Sequence, residues 1–103
     1  MIENEMEVRH SDSSLDRLEI DPDYTGGFSQ AVVRSFRLRM QMIRAASDER
    51  DFYALKSLHF EKLKADRAHQ HSMRLNKQWR LILEIDESQA ARIVCVVRIE
   101  DYH

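Results

Sequence analysis

Asp101, Tyr102 and His103 set a carboxylate, a phenol and an imidazole side by side at the C-terminal end of the chain. These are the parts of a proton-transfer site. Imidazole titrates near neutral pH, and an adjacent carboxylate can orient or charge-balance it. The triplet follows Ile93-Val94-Cys95-Val96-Val97, an apolar β-branched run that reads as a strand buried on both faces. On this reading the strand presents the triplet at its end.

The elements that must carry this strand change period part-way along the chain. Met6 to His10 reads as a short first strand. Ser11-Asp12-Ser13-Ser14 is rich in helix N-cap types, and Leu15, Leu18 and Ile20 then mark a short helix. Asp21-Pro22-Asp23 ends it, and Thr25-Gly26-Gly27 is a joint. Ser29 is the expected N-cap of the main helix, where Val32, Val33, Phe36, Met40 and Ile43 share one face and Arg34, Arg37, Arg39 and Arg44 occupy much of the rest. Met40 reads as core filling. A second helix is expected from Asp48 to about Lys56, with Phe52 and Leu55 inward. Beyond it the period becomes two: Leu58 and Phe60 alternate with His59 and Glu61. Strands over 69–76 and 79–86 form a hairpin across Asn76-Lys77-Gln78, and 92–100 is the last strand. Helices first and antiparallel strands after predict an α+β domain, with an N-terminal helical hairpin packed on a four- to five-stranded, mainly antiparallel sheet.

The expected organisation is a single domain over 1–103, divided into an acidic segment (1–27), helices (28–56) and sheet (57–103). The balance of 43% hydrophobic to 33% charged residues is too apolar for a disordered chain. No apolar run approaches the roughly 18 residues of a membrane span. The first residues lack the pattern of a secretory signal, and the single cysteine rules out a disulfide framework within one chain. The expected location is cytoplasmic, with no membrane partner. Net charge is −2 but uneven: residues 1–28 carry eight acidic and two basic side chains, residues 29–103 ten acidic and fourteen basic. An arginine-rich second part is compatible with phosphate contact.

Read in order, Leu63-Lys64-Ala65-Asp66-Arg67, His71-Ser72-Met73-Arg74-Leu75-Asn76, Gln78-Trp79-Arg80-Leu81 and Ile99-Glu100-Asp101-Tyr102-His103 resemble the RelE/ParE toxin superfamily, and within it the HigB-type toxins. The resemblance covers residues 58 to 103 and implies the toxin of a type II toxin–antitoxin system. That toxin would be a ribosome-dependent mRNA endonuclease, neutralised by a helix-turn-helix antitoxin of HigA type and reaching operator DNA only within the antitoxin complex. Its chemistry, attack by a ribose 2′-OH on the adjacent phosphate, is implied to need no metal and no cofactor. His103 is then the leading base or acid, Asp101 its orienting carboxylate, and Tyr102 a stacking or hydrogen-bonding group. Lys64, Arg67, Arg74 and Arg80 become candidate phosphate clamps. Glu61 stands where some members carry a catalytic histidine; His59, two residues earlier and on the same face by strand periodicity, is the alternative. Ala65 stands where glycine is usual.

Several residues also carry structural readings. Arg67 and Arg80 can pair with Asp66, Glu84 or Glu100, and Trp79 reads as core. His69 and His71 share a strand face on this reading, but two imidazoles fall short of a metal site. Cys95 is expected to be buried and inert. The competing functional readings are a ParE-like toxin that inhibits a protein target such as DNA gyrase without cutting RNA, and a degenerate member that acts only with its antitoxin.

Overall fold

The computed structural model describes residues 6–87 and 92–102. Its strands are β1 (Glu7–His10), β2 (Glu61–Lys62), β3 (His71–Arg74), β4 (Trp79–Asp86) and β5 (Ile93–Asp101). Its helices are α1 (Ser13–Ile20), α2 (Gln30–Ala45) and α3 (Arg50–Ala54), with single 3-10 turns at Lys56–Leu58 and Ala65–Arg67. The sheet order is β1-β5-β4-β3-β2; β1 runs parallel to β5, and the other pairings are antiparallel. This is the expected α+β architecture.

α2 forms where its sequence predicts. The Ser29 side chain accepts from the Val32 N–H at 3.2 Å, and Val32, Val33, Phe36, Met40 and Ile43 are all buried. They pack with Met73, Leu81, Leu83, Val94 and Val96 from the inner face of the sheet. α1 lies against α2 and starts at Asp12, whose carboxylate accepts from the Ser14 and Leu15 N–H groups. Gly26 and Gly27 both take positive φ in the joint between the two helices. His10 Nε2 lies 2.9 Å from Glu19, which also takes both nitrogens of an Arg44 fork, so one carboxylate ties β1, α1 and α2 together.

A β-bulge decides which side chains of β5 reach the face of the sheet turned away from the helices. Ile82 pairs with Arg98 but Leu83 pairs with Val96, leaving Val97 as the extra residue in β5. Val94 and Val96 face the helices; after the bulge the parity flips, so Ile99 packs inward and Arg98 and Glu100 emerge on the other face. The Val97 carbonyl accepts from the Ser11 hydroxyl at 2.6 Å. Without the bulge, strict alternation would drive Glu100 into the core.

Four expectations need correction. α3 is only five residues long, and Leu55, expected inward, is 47% exposed just beyond it. β3 begins at His71 rather than 69, because the Gln70 N–H turns back to the Arg67 carbonyl. His59 is not a strand residue: it sits at φ 47 and closes the 56–58 turn. The run 93–97 is not buried on both faces, since Cys95 and Val97 are half-exposed.

Ala65 adopts φ 58 and is exposed. An L side chain in the left-handed region costs about 1–2 kcal/mol, partly offset because glycine is freer in the unfolded chain. Ala65→Gly is therefore expected to stabilise the fold by about 0.5–1 kcal/mol in urea denaturation.

Candidate active site on the open face of the sheet

Strand pairing decides which candidates can work together. Arg74 of β3 is the register partner of Arg80 on β4, so the two arginines share a face, the one turned away from the helices. Arg80 pairs in turn with Glu100 on β5. Glu61 pairs with Ser72, and Ser72 with Ile82, which puts Glu61 on this face as well.

Glu100 is the hub. Arg67, carried in by the 65–67 turn, donates two bonds to it at 2.8 and 3.0 Å; Arg80 donates at 2.6 and 3.1 Å and Arg98 at 3.1 Å. One carboxylate offsets one of three guanidinium charges, so the cluster keeps a positive surplus. The bonds from Arg67, reinforced by Arg80 and Arg98, hold the Glu100 carboxyl at about 2, well below its ordinary 4.5. The sign of the linkage follows. A depressed folded-state value contributes stability in full above about 4.5, and that stability is lost as pH falls toward 2. In urea denaturation, the stability gap between wild type and Glu100→Gln should be full at about pH 6 and shrink below about pH 4.5. A gap that stays constant down to about pH 3 would remove Glu100 from this role.

Gln70 extends the network. It is buried, its carbonyl oxygen accepts from Arg67 Nε at 3.1 Å, and its amide donates to Glu84 at 3.0 Å. The 65–70 segment is thereby strapped across the sheet. Arg39 of α2 donates to the Arg74 carbonyl at 2.9 Å and anchors the end of β3 from the helix side. Arg74 reaches Asn76 O at 3.2 Å and His59 Nε2 at 3.1 Å. A guanidinium can only donate, so His59 Nε2 accepts and the ring proton sits on Nδ1. His59 thus comes to the site through Arg74, not by strand periodicity.

At the C-terminal end, the Arg80 guanidinium lies 4.9 Å from the Tyr102 ring centroid, in cation–π geometry. Asp101 pairs with Trp79, on the opposite side of the pleat from Glu100, and accepts from Gln78 Nε2 at 3.1 Å. Lys64 is exposed at the start of the 65–67 turn. His103 lies outside the described residues. The structure thus brings Arg67, Arg74, Arg80, Tyr102 and His59 together on or beside one face. Asp101 is turned from it.

The structural readings also resolve. Both Arg67 and Arg80 pair with Glu100, not Asp66 or Glu84. Trp79 is half-buried, edge-on to Phe28 at 5.5 Å. The shared face expected for His69 and His71 does not form. His69 sits in the turn, 3.7 Å from Glu84, while His71 stacks on Phe60 at 5.0 Å, where burial lowers its pKa. Cys95 is half-buried beside Glu84, and desolvation pushes its thiol up, which makes it a weak nucleophile. Among the described residues, His10, Asp16 and Glu19 group their ligand atoms within 4.8 Å, but Arg44 already engages both Glu19 oxygens.

Sequence reasoning missed Gln70, Arg39 and Arg98, and saw Glu100 only as one possible partner. The spacing of Arg80, Arg98 and Glu100 carried a signal, but only with the register known.

The profile of the RelE-like toxin of the type II toxin–antitoxin system HigB matches residues 8–102. The chain belongs to the HigB-like toxin family. Solved structures similar to this HigB-like toxin include a YoeB/ParE toxin from Agrobacterium tumefaciens, with a TM-score of 0.62 and 16% identity over 95% of this chain and 100% of that one. A conserved hypothetical protein from Helicobacter pylori is similar at a TM-score of 0.54 and 11% identity, over 94% of each chain. At these identities the likeness is one of fold. No protein with a curated description matches the chain. Membership of this family implies an antitoxin partner, and among the described residues no helix is long and apolar enough to cross a membrane.

Proposed function

We propose that this HigB-like toxin is an mRNA endonuclease that acts on the translating ribosome in the cytoplasm. The observation that carries the reading is the pairing of Arg74 with Arg80 on the open face, with Tyr102 stacked over Arg80 at 4.9 Å. Forked cations beside an exposed aromatic ring suit a nucleotide: the guanidiniums take phosphate oxygens and the ring takes a base.

In the proposed reaction a ribose 2′-oxygen attacks the adjacent phosphorus and the bond to the 5′-oxygen breaks, leaving a 2′,3′-cyclic phosphate and a 5′-hydroxyl. One group takes the 2′ proton and another returns a proton to the leaving oxygen. His103 is assigned to this exchange, with His59 or Glu61 as the second group. Tyr102 stacks, and Arg67, Arg74, Arg80 and Lys64 bear the charge that builds on phosphate; Asp101, turned from this face, is left out of the exchange. Neutralisation is assigned to a helix-turn-helix antitoxin.

The test is to add purified toxin to a translating extract and map new RNA ends, with a non-translating extract as control. Discrete cuts that appear only during translation are expected. Intact mRNA and undiminished translation in the extract, from a toxin that arrests growth when produced in cells, would instead favour a toxin that binds a protein target such as DNA gyrase.

A further inference from the structure

Glu100 is out of place by charge. It stands among the arginines of the open face, where a carboxylate repels the same phosphate that Arg74 and Arg80 would attract. Its side chain is nonetheless only 18% exposed, and both of its oxygens are engaged. Arg67 straddles them, with Nη2 on Oε1 and Nη1 on Oε2. Arg98 Nε joins at Oε1, and Arg80 brings Nε and Nη2 to Oε2.

The shared oxygen accounts for the arrangement. Arg67 comes from the 65–67 turn and Arg80 from β4, so no common element sets one guanidinium against the other. Left alone, two like charges on long, rotamer-rich side chains separate. Oε2 accepts from both and holds the two forks side by side. Arg80 Nη1 takes no part in that pairing. Tyr102 lies over the same guanidinium, and its N–H donates to the Gln78 carbonyl at 2.7 Å, which fixes the backbone beneath the ring. Arg74 does not depend on Glu100: its bonds go to the Asn76 carbonyl and to His59.

We propose that Glu100 is a positioning residue of the cleavage site, holding Arg67 and Arg80 together so that both meet the phosphate as negative charge builds in the transition state. The proposal rests on the endonuclease reading above. It carries a sign that a purely structural role lacks. Removing the carboxylate removes a repulsion from bound RNA and leaves Arg74 in place, so substrate capture holds or improves. The fixed geometry that favours the transition state is lost, so the chemical step slows.

The experiment measures single-turnover cutting on purified ribosomes programmed with a short mRNA, with toxin in excess and its active concentration counted by antitoxin titration. Glu100→Gln turns an amide N–H toward guanidiniums that can only donate. It is expected to lower the maximal rate about 10- to 100-fold, with a half-saturating toxin concentration no higher than that of wild type. The same change made on Arg80→Ala should lower the rate by a smaller factor than in wild type, because one of the arginines it acts through is gone. Glu100→Asp keeps the charge with a shorter reach and should recover part of the rate. If Glu100→Gln fails to fold by far-UV dichroism, Glu100→Asp carries the test, with a maximal rate at least about threefold below wild type expected. An unchanged or faster maximal rate per active toxin overturns the proposal, as does a loss confined to the half-saturating concentration. A wild type that cuts nothing overturns the endonuclease reading and this proposal with it; a wild type that cuts beside a variant that cuts equally well overturns the proposal alone.

Discussion

Arg80→Ala is expected to lower mRNA cleavage about 10²–10³-fold, the usual consequence of removing one fixed donor from developing oxyanion charge. Arg80 sits at the centre of the open face. It opposes Arg74, binds Glu100 and lies under the Tyr102 ring. Its side chain is only 16% exposed, so it is already oriented before substrate arrives. Arg80→Lys keeps the charge but loses the fork and the stacking surface, and should recover only part of the rate. Antitoxin binding serves as the folding check. Cleavage by Arg80→Ala within about threefold of wild type would remove this arginine from the chemistry.

The second large effect concerns the core. Phe36→Ala is expected to cost about 3–5 kcal/mol, because a fully buried ring at the centre of α2 would leave a cavity between the helix and the sheet. Domains of this size are stable by roughly 5–15 kcal/mol, so the variant should unfold at much lower urea concentration, with the slope nearly unchanged. Met40→Leu, at an equally buried site, conserves volume and should cost less than about 1.5 kcal/mol. A loss below about 1 kcal/mol for Phe36→Ala would mean that the core does not depend on this packing.

What could be read in the sequence divides along physical lines. α2 was legible because cap and stripe agree: Ser29 closes the first turn and the five apolar positions are all buried. β4 and β5 were legible from alternation and β-branched content. The parallel pairing of β1 with β5 was not, since nothing local couples Glu7 to Ile93. His59 and Ala65 both hold positive φ, which periodicity cannot foresee for residues other than glycine. Leu55 was assigned inward by pattern, but α3 ends at Ala54 and the chain turns it to solvent. At the site, the arginines were visible as residue types, yet their common face depends on the β3–β4 register and on the bulge at Val97. Glu100 became the hub only when the 65–67 turn brought Arg67 across the sheet. Its three cations lie 33, 20 and 2 residues away in sequence.

The central claim is that the C-terminal residues supply acid–base chemistry beside this arginine-bearing face. Its most direct measurement compares wild-type toxin with a chain lacking His103 in the same translating extract, counting cuts per message by mapped RNA ends. Antitoxin affinity is measured in parallel. The shortened chain is expected to bind antitoxin as wild type does and to produce cuts at no more than about a hundredth of the rate, the scale of losing a general acid or base. Undiminished cutting at the same sites would contradict it.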